Sequence, residues 1–535
     1  MKNIFALHQV PGSNIPNEIY GYRPYLLAFS AAWASSMYGY DSAFIGGTLS
    51  LPSFQSAYGL DKAPARELTA LSSNIVSTFQ AGAFFGCILG FFTAERLGRR
   101  PVIMGSAGVF IVGVVLQLIG KLGLLYAGRA CTGLGIGASS TMIPIYIAEC
   151  SPALIRGRLV GIFEIMLQIA LVFGFWVNYG VAKNIPGETN KQWHIPVAVQ
   201  FIPAGLLLIS VPFCCPESPR WLVSKNRVSQ ARKNLLWIRN LPDGHSYIDS
   251  ELSEIEASLT HELELSGGKR STIRIFRELG APGIRWRVTM GVLLMLLQNL
   301  TGINAINYYS PTILKSIGFS GVNIGLLATG VYGLIKMLTT VVFMVFFVDR
   351  FGRRPALLVG SVGAMIAMYY LAAYSSLSGS FNHTPPSDGG SRAALAMIYI
   401  YAIFYGFSWN GIPWIFASEV LPNQVRTLGM MCAVCMQWLA QFIVVYSLPY
   451  MVAGITYGTF VFFGTATVIA FFFAYFFVPE TKGVVLEDMD LMFSPDAPWL
   501  ATAARKRYLE AKAGGLNATV LYGQDEKADS QHVEA

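Results

Sequence analysis

A chain of 535 residues could hold several soluble domains, but this one is 53% apolar and 13% charged, with a mean hydropathy of +0.49. That composition belongs to a polytopic membrane protein and excludes a set of water-soluble domains. The net charge of +8 is topological rather than a nucleic-acid footprint: of 38 Lys and Arg, 29 fall in the tails and loops that twelve spans with cytoplasmic termini place inside, and 7 in outer loops.

In chain order, residues 1–23 form a polar N-terminal tail without the apolar core of a cleavable signal. Six apolar runs follow within 24–214, near 25–48, 69–94, 101–120, 122–148, 158–181 and 195–214. The first carries Tyr38-Gly39-Tyr40-Asp41 in its outer half. The second ends in Gly82, Gly86 and Gly90, and the fourth has Gly133, Gly135 and Gly137 just after Arg129, spacings that let helices approach closely. Between runs two and three lies the loop Glu95-Arg96-Leu97-Gly98-Arg99-Arg100-Pro101. Glu149 stands seven residues before Arg156, and Glu217 closes this half.

The segment 215–285 is the one sizeable polar interruption. Leu252, Ile255, Leu259 and Leu263 keep helical spacing there, which predicts short amphipathic helices on the cytoplasmic side. Six more runs lie within 286–478, near 286–312, 321–348, 354–376, 393–419, 427–453 and 457–478. Asp349-Arg350-Phe351-Gly352-Arg353-Arg354-Pro355 repeats the earlier loop, Glu419 stands seven residues before Arg426, and Glu480 closes the half. The chain is therefore a duplication, two bundles with carboxylates and guanidiniums at one face, where such pairs are strong enough to latch it. The arginines also serve as positive-inside anchors. The tail 479–535 is polar, with a surface helix expected over 499–513 and disorder over the last twenty residues; Asn382-His383-Thr384 is a weak glycosylation sequon.

No nucleophile elbow, P-loop or paired metal motif occurs, so neither enzyme chemistry nor a cofactor or metal is expected. All seven cysteines lie in or at the ends of apolar runs and are expected as free thiols. Polar side chains inside the runs are more telling, because in hydrocarbon they must face a cavity or a partner. Gln298, Asn299 and Asn304 share the seventh run, which Thr301-Gly302 loosens. Trp409 and Trp414 flank Gly411 and Pro413 in the tenth run, where the proline is expected to break a backbone bond. Gln437-Trp438 lies in the eleventh. Such amides either line a ligand cavity or join helices. Asp41 and Arg129 are the expected proton-coupling pair, with a purely structural ion pair as the alternative. Lys336, thirteen residues before Asp349, is placed near mid-membrane, where it is structural or faces a substrate carboxylate.

Several blocks together resemble the sugar porter family of the major facilitator superfamily over nearly the whole chain. They are Gly39-Tyr40-Asp41, both arginine loops, Pro144 to Gly157, Pro216 to Arg220, Gly302-Ile303-Asn304 with Tyr308-Tyr309, and Pro479 to Gly483. The stretch Gln298 to Asn307 looks most like the fungal quinate permeases. The resemblance implies an all-α fold of twelve transmembrane helices in two pseudo-symmetric six-helix bundles, with alternating access to one central site. It puts Gln298, Asn299, Asn304, Trp414 and Gln437 on sugar-contacting positions. Asn299 and Glu164 stand where the family commonly has glutamines, and Glu164 is either a second proton site, a partner of Lys336 or turned elsewhere. The implied function is proton-coupled import of a small ring polyol, best quinate or a related sugar acid. A neutral hexose or pentose symporter is the alternative, and a non-transporting sensor a lower one. The partners implied are the polyhydroxylated substrate, the proton and the lipid bilayer, with no nucleic acid and no obligate protein partner, in the plasma membrane.

Overall fold

In hydrocarbon a spanning backbone satisfies its N–H and C=O groups internally, and for runs of about 20 residues that means helix. The structure, a computed structural model, describes residues 16–152, 155–265, 277–319, 321–380, 385, 388–422, 425–482, 484, 489–493 and 499–513. The Asn382 sequon and the last twenty residues lie outside them. The passes are α1 (Tyr22–Thr48), α2 (Ala65–Leu97), α3 (Arg99–Leu118), α4 (Leu122–Cys150), α5 (Arg156–Asn184) and α6 (Lys191–Cys214). The second set is α7 (Ile284–Ser316), α8 (Val322–Phe347), α9 (Arg353–Leu377), α10 (Gly389–Gly406, resuming as Ile412–Val420), α11 (Arg426–Ile455) and α12 (Gly458–Phe477).

Ten of these are long and apolar enough to cross a membrane by composition alone. The other two have physical reasons to fall short. α1 buries Ser30, Ser35, Ser36, Asp41 and Ser42 against protein instead of lipid. α10 is interrupted at residues 407–411, so neither piece suffices. The interruption lies where expected, beside Pro413, which has no N–H to donate to the Trp409 carbonyl. Pro413 occupies the first turn of the second piece, where its missing N–H is no loss to that piece. α7 is broken where expected: Gly302 takes φ +93°, and a Cβ there would meet Met368 Cε at 2.9 Å.

The glycine stripes bring α2 and α4 into backbone contact. A Cβ on Gly86 would stand 2.2 Å from the Leu134 carbonyl oxygen, and one on Gly137 2.0 Å from that of Ala83. The two halves meet on the face away from the described ends of the chain. There Gly46 of α1 packs on the Tyr308 backbone, Gly330 of α8 on the Trp176 ring, and Ser73 Oγ donates to the Tyr446 carbonyl (2.6 Å). The seven cysteines are free. Cys87 of α2 and Cys435 of α11 bring their sulfurs to 3.4 Å across the seam.

The polar segment folds as helices Pro219–Ser224, Val228–Arg239 and Ser246–Leu265, whose Trp221, Leu222, Leu235, Ile248, Leu252 and Leu259 form a small second core. Arg239 pins it to the first half, pairing with Glu251 (2.5 Å) and donating to the Cys150 carbonyl (2.8 Å). Helix Ala501–Ala513 docks on the second half, where Arg505 Nη1 donates to the Glu480 carbonyl at 3.0 Å.

Candidate functional site

The duplicated loops build the same device twice. Gly98 (φ +106°) and Gly352 (φ +92°) each end one helix and start the next. Helix N-termini leave N–H groups without intrahelical partners, and a distant carboxylate takes them in each half. Glu217 accepts from Arg99 N (2.9 Å) and Arg100 N (3.2 Å), and Glu480 from Arg353 N (3.0 Å) and Arg354 N (3.1 Å). Burial pushes the Glu217 carboxyl above its ordinary range against the pull of these donors. Arg99 holds Glu149 through two bonds (3.2 and 3.1 Å) and Glu95 at 3.1 Å, and Arg353 holds Glu419 at 2.8 Å.

These bonds all lie within one half. Glu149 and Glu419, which stand seven residues before Arg156 and Arg426 in sequence, bond Arg99 and Arg353. Arg156 and Arg426 open α5 and α11, and Arg426 Nε donates to the Leu421 carbonyl at 3.2 Å. Arg100 and Arg354 donate to the Pro212 (2.8 Å) and Tyr475 (2.6 Å) carbonyls, and the Nε of each is buried without a hydrogen-bond partner. Asp349 falls in the short helix Val348–Phe351 just after α8, and its side chain lies outside the described set.

Asp41 and Arg129 meet in the first half. Arg129 Nη1 donates to both carboxylate oxygens (2.7 and 3.0 Å), and both side chains are fully buried. Arg129 also donates to the Ile75 carbonyl (3.2 Å) and lies over the Phe79 ring (4.7 Å), while its Nη2 is buried without a partner.

Between the halves is a cavity that collects the expected amides. Gln298, Asn299, Asn304, Gln437, Trp414, Glu164 and Lys336 all line it. Asn299 is a hub, not merely a shortened glutamine: it donates to Gln437 Oε1 (2.8 Å) and accepts from Asn304 Nδ2 (2.5 Å). Gln298 Nε2 donates to the Trp409 (2.7 Å) and Asn410 (3.0 Å) carbonyls, which the break in α10 frees. Trp409 itself turns into the second half and donates to Ser361. Trp438 crosses the seam, its ring tilted against Tyr38 (centroids 4.9 Å apart) and its Nε1 donating to Ser140 Oγ (3.3 Å). Glu164 Oε1 accepts from Gln168 Nε2 (2.7 Å) and Asn410 Nδ2 (2.8 Å). Lys336, 2% exposed, donates to Asn307 Oδ1 at 3.5 Å. Three amide oxygens on the lining, Gln168 Oε1, Gln298 Oε1 and Gln441 Oε1, are buried without a protein donor. Buried acceptors of that kind match hydroxyl groups.

Tyr38, Gln168, Asn307, Asn410 and Gln441 belong to this lining and were not singled out from the sequence. Four stand one helical turn from a residue that was: Tyr38 from Asp41, Gln168 from Glu164, Asn307 from Asn304, and Gln441 from Gln437. The i,i+3 and i,i+4 rule would have found them.

The chain is similar to known proteins over most of its length. Residues 27–493 match the family model described as sugar (and other) transporter. The chain is 42% identical over 497 residues to a probable quinate permease of Neosartorya fischeri, covering 91% of this chain and 90% of that protein. It is 42% identical over 487 residues to the quinate permease of Neurospora africana, covering 90% of each. Among solved structures, the proton:xylose symporter XylE bound to 6-bromo-6-deoxy-D-glucose superposes with a TM-score of 0.74 at 28% identity, over 88% of this chain and 99% of that one.

Proposed function

The chain belongs to the sugar transporter family of the major facilitator superfamily, in its quinate permease subgroup, and from that premise we propose a proton symporter that imports a small ring polyol carrying a carboxylate, quinate or a close relative. The observation that carries the reading is one cavity holding both amide acceptors for hydroxyls and a buried ammonium, Lys336, for the acid. Trp414 supplies an apolar wall for the ring face. A neutral hexose or pentose is the second reading, favoured by the Asn307 contact that would make Lys336 structural.

Asp41 is the proposed proton site. As a carboxylate it binds Arg129; protonated, it loosens that hold, so proton occupancy biases which arrangement of the halves is stable. The halves then rock about the cavity, which opens to one side at a time. Arg100 and Arg354, whose Nε groups lack partners when the far face is closed, are proposed to bond across the seam when their own face closes. The Lys and Arg distribution supports cytoplasmic termini, and the plasma membrane is the proposed location.

Uptake of labelled quinate against neutral hexose, with and without a pH gradient, tests the reading. Asp41→Asn is expected to keep substrate counterflow and lose uphill accumulation. Accumulation that survives with unchanged pH dependence would move the proton site away from Asp41.

A further inference from the structure

Glu164 is not needed to bind a polyol acid, and its carboxylate is of the wrong sign to sit beside one. It lies on α5 in the first half, and Lys336 lies on α8 in the second. Among the residues lining the cavity these are the two charged groups, and the other titratable ones are Tyr38 on α1 and Tyr405 on α10. Among the described residues no ion pair joins Glu164 to Lys336. Glu164 Oε1 is held by Gln168 and Asn410 amides, and the Lys336 ammonium reaches Asn307. The cavity lining is therefore balanced, one ammonium against one carboxylate across the seam.

A monoanionic substrate upsets that balance. With its carboxylate at Lys336, the cavity holds two carboxylates and one ammonium, in walls where like charges cannot both stay ionised. The two amide donors can keep Oε1 while Oε2 carries a proton and donates towards the ligand. We propose that Glu164 takes up a second proton from the side on which the substrate enters, and releases it with the substrate. Each cycle then carries one monoanion with two protons, one at Asp41 and one at Glu164, and moves one net positive charge. This rests on the anionic-substrate reading given above.

The test is the coupling ratio of the full-length protein in proteoliposomes, with quinate as probe. Membrane potential is clamped by potassium and valinomycin, and the potential at which net flux stops is measured at several pH gradients. Wild type is expected to give two protons and one positive charge per quinate. Glu164→Gln, which imitates the protonated acid, is expected to give one proton and no net charge, whatever its uptake rate. Electroneutral transport by wild type overturns the proposal, and that measurement suffices if the variant does not fold. A variant that still moves one charge per quinate also overturns it. Absence of quinate uptake by wild type, with uptake of a neutral hexose, overturns the anionic-substrate reading and this proposal with it.

Discussion

Replacing Lys336 with glutamine separates an acid-binding ammonium from a structural one. The side chain is 2% exposed, and its one described bond, to Asn307 Oδ1, is 3.5 Å long. That is beyond the usual 2.7–3.2 Å for N–H···O, so little bonding within the protein is lost on substitution. A substrate carboxylate would instead lose a charge-assisted bond of about 1.5–3 kcal/mol. At about 1.4 kcal/mol per tenfold, quinate binding should weaken roughly 10- to 150-fold. Because the pair is buried, the loss should change little with ionic strength. Concentration dependence of quinate uptake reads the effect, with a neutral hexose on the same variant as the internal control. Equal losses for both ligands would refute the argument, make Lys336 structural and hand the cavity to a neutral sugar.

Two further expectations concern the duplicated loops. Gly98→Ala and Gly352→Ala put a Cβ 2.4 Å from Glu217 Oε2 and 2.5 Å from Glu480 Oε2, at φ values that side chains rarely adopt. Each should cost about 1–3 kcal/mol, and an unchanged unfolding temperature in detergent would count against the carboxylate caps. Arg100→Ala and Arg354→Ala should each raise thiol labelling of the cavity from the side of the termini. If labelling does not move in either variant, these arginines act only within their own halves and as topological anchors.

Much of the architecture was written in periodicity and repetition. The apolar runs become the passes, the glycine stripes become the α2–α4 contact, and the paired loops become paired corners. What escaped depends on three-dimensional proximity. Glu149 bonds Arg99, fifty positions away in sequence, because α4 returns beside the start of α3. The α10 interruption was legible near Gly411 and Pro413, but not which side chains it would turn into the cavity. Asn410 gave no periodic signal at all; it matters because the interruption turns its amide towards Glu164 and its carbonyl towards Gln298.

The sulfur contact between Cys87 and Cys435 gives the molecule a built-in ruler. One thiol rides on α2 and the other on α11, in different halves, 3.4 Å apart. Cys87 also reaches the Met431 carbonyl at 3.8 Å, a weak sulfur contact on the same two helices. Any rotation of one half against the other must either keep this point still, which locates the axis of the motion, or pull the sulfurs apart. The native sequence thus carries its own marker for where the pivot lies, with no residue added to find it.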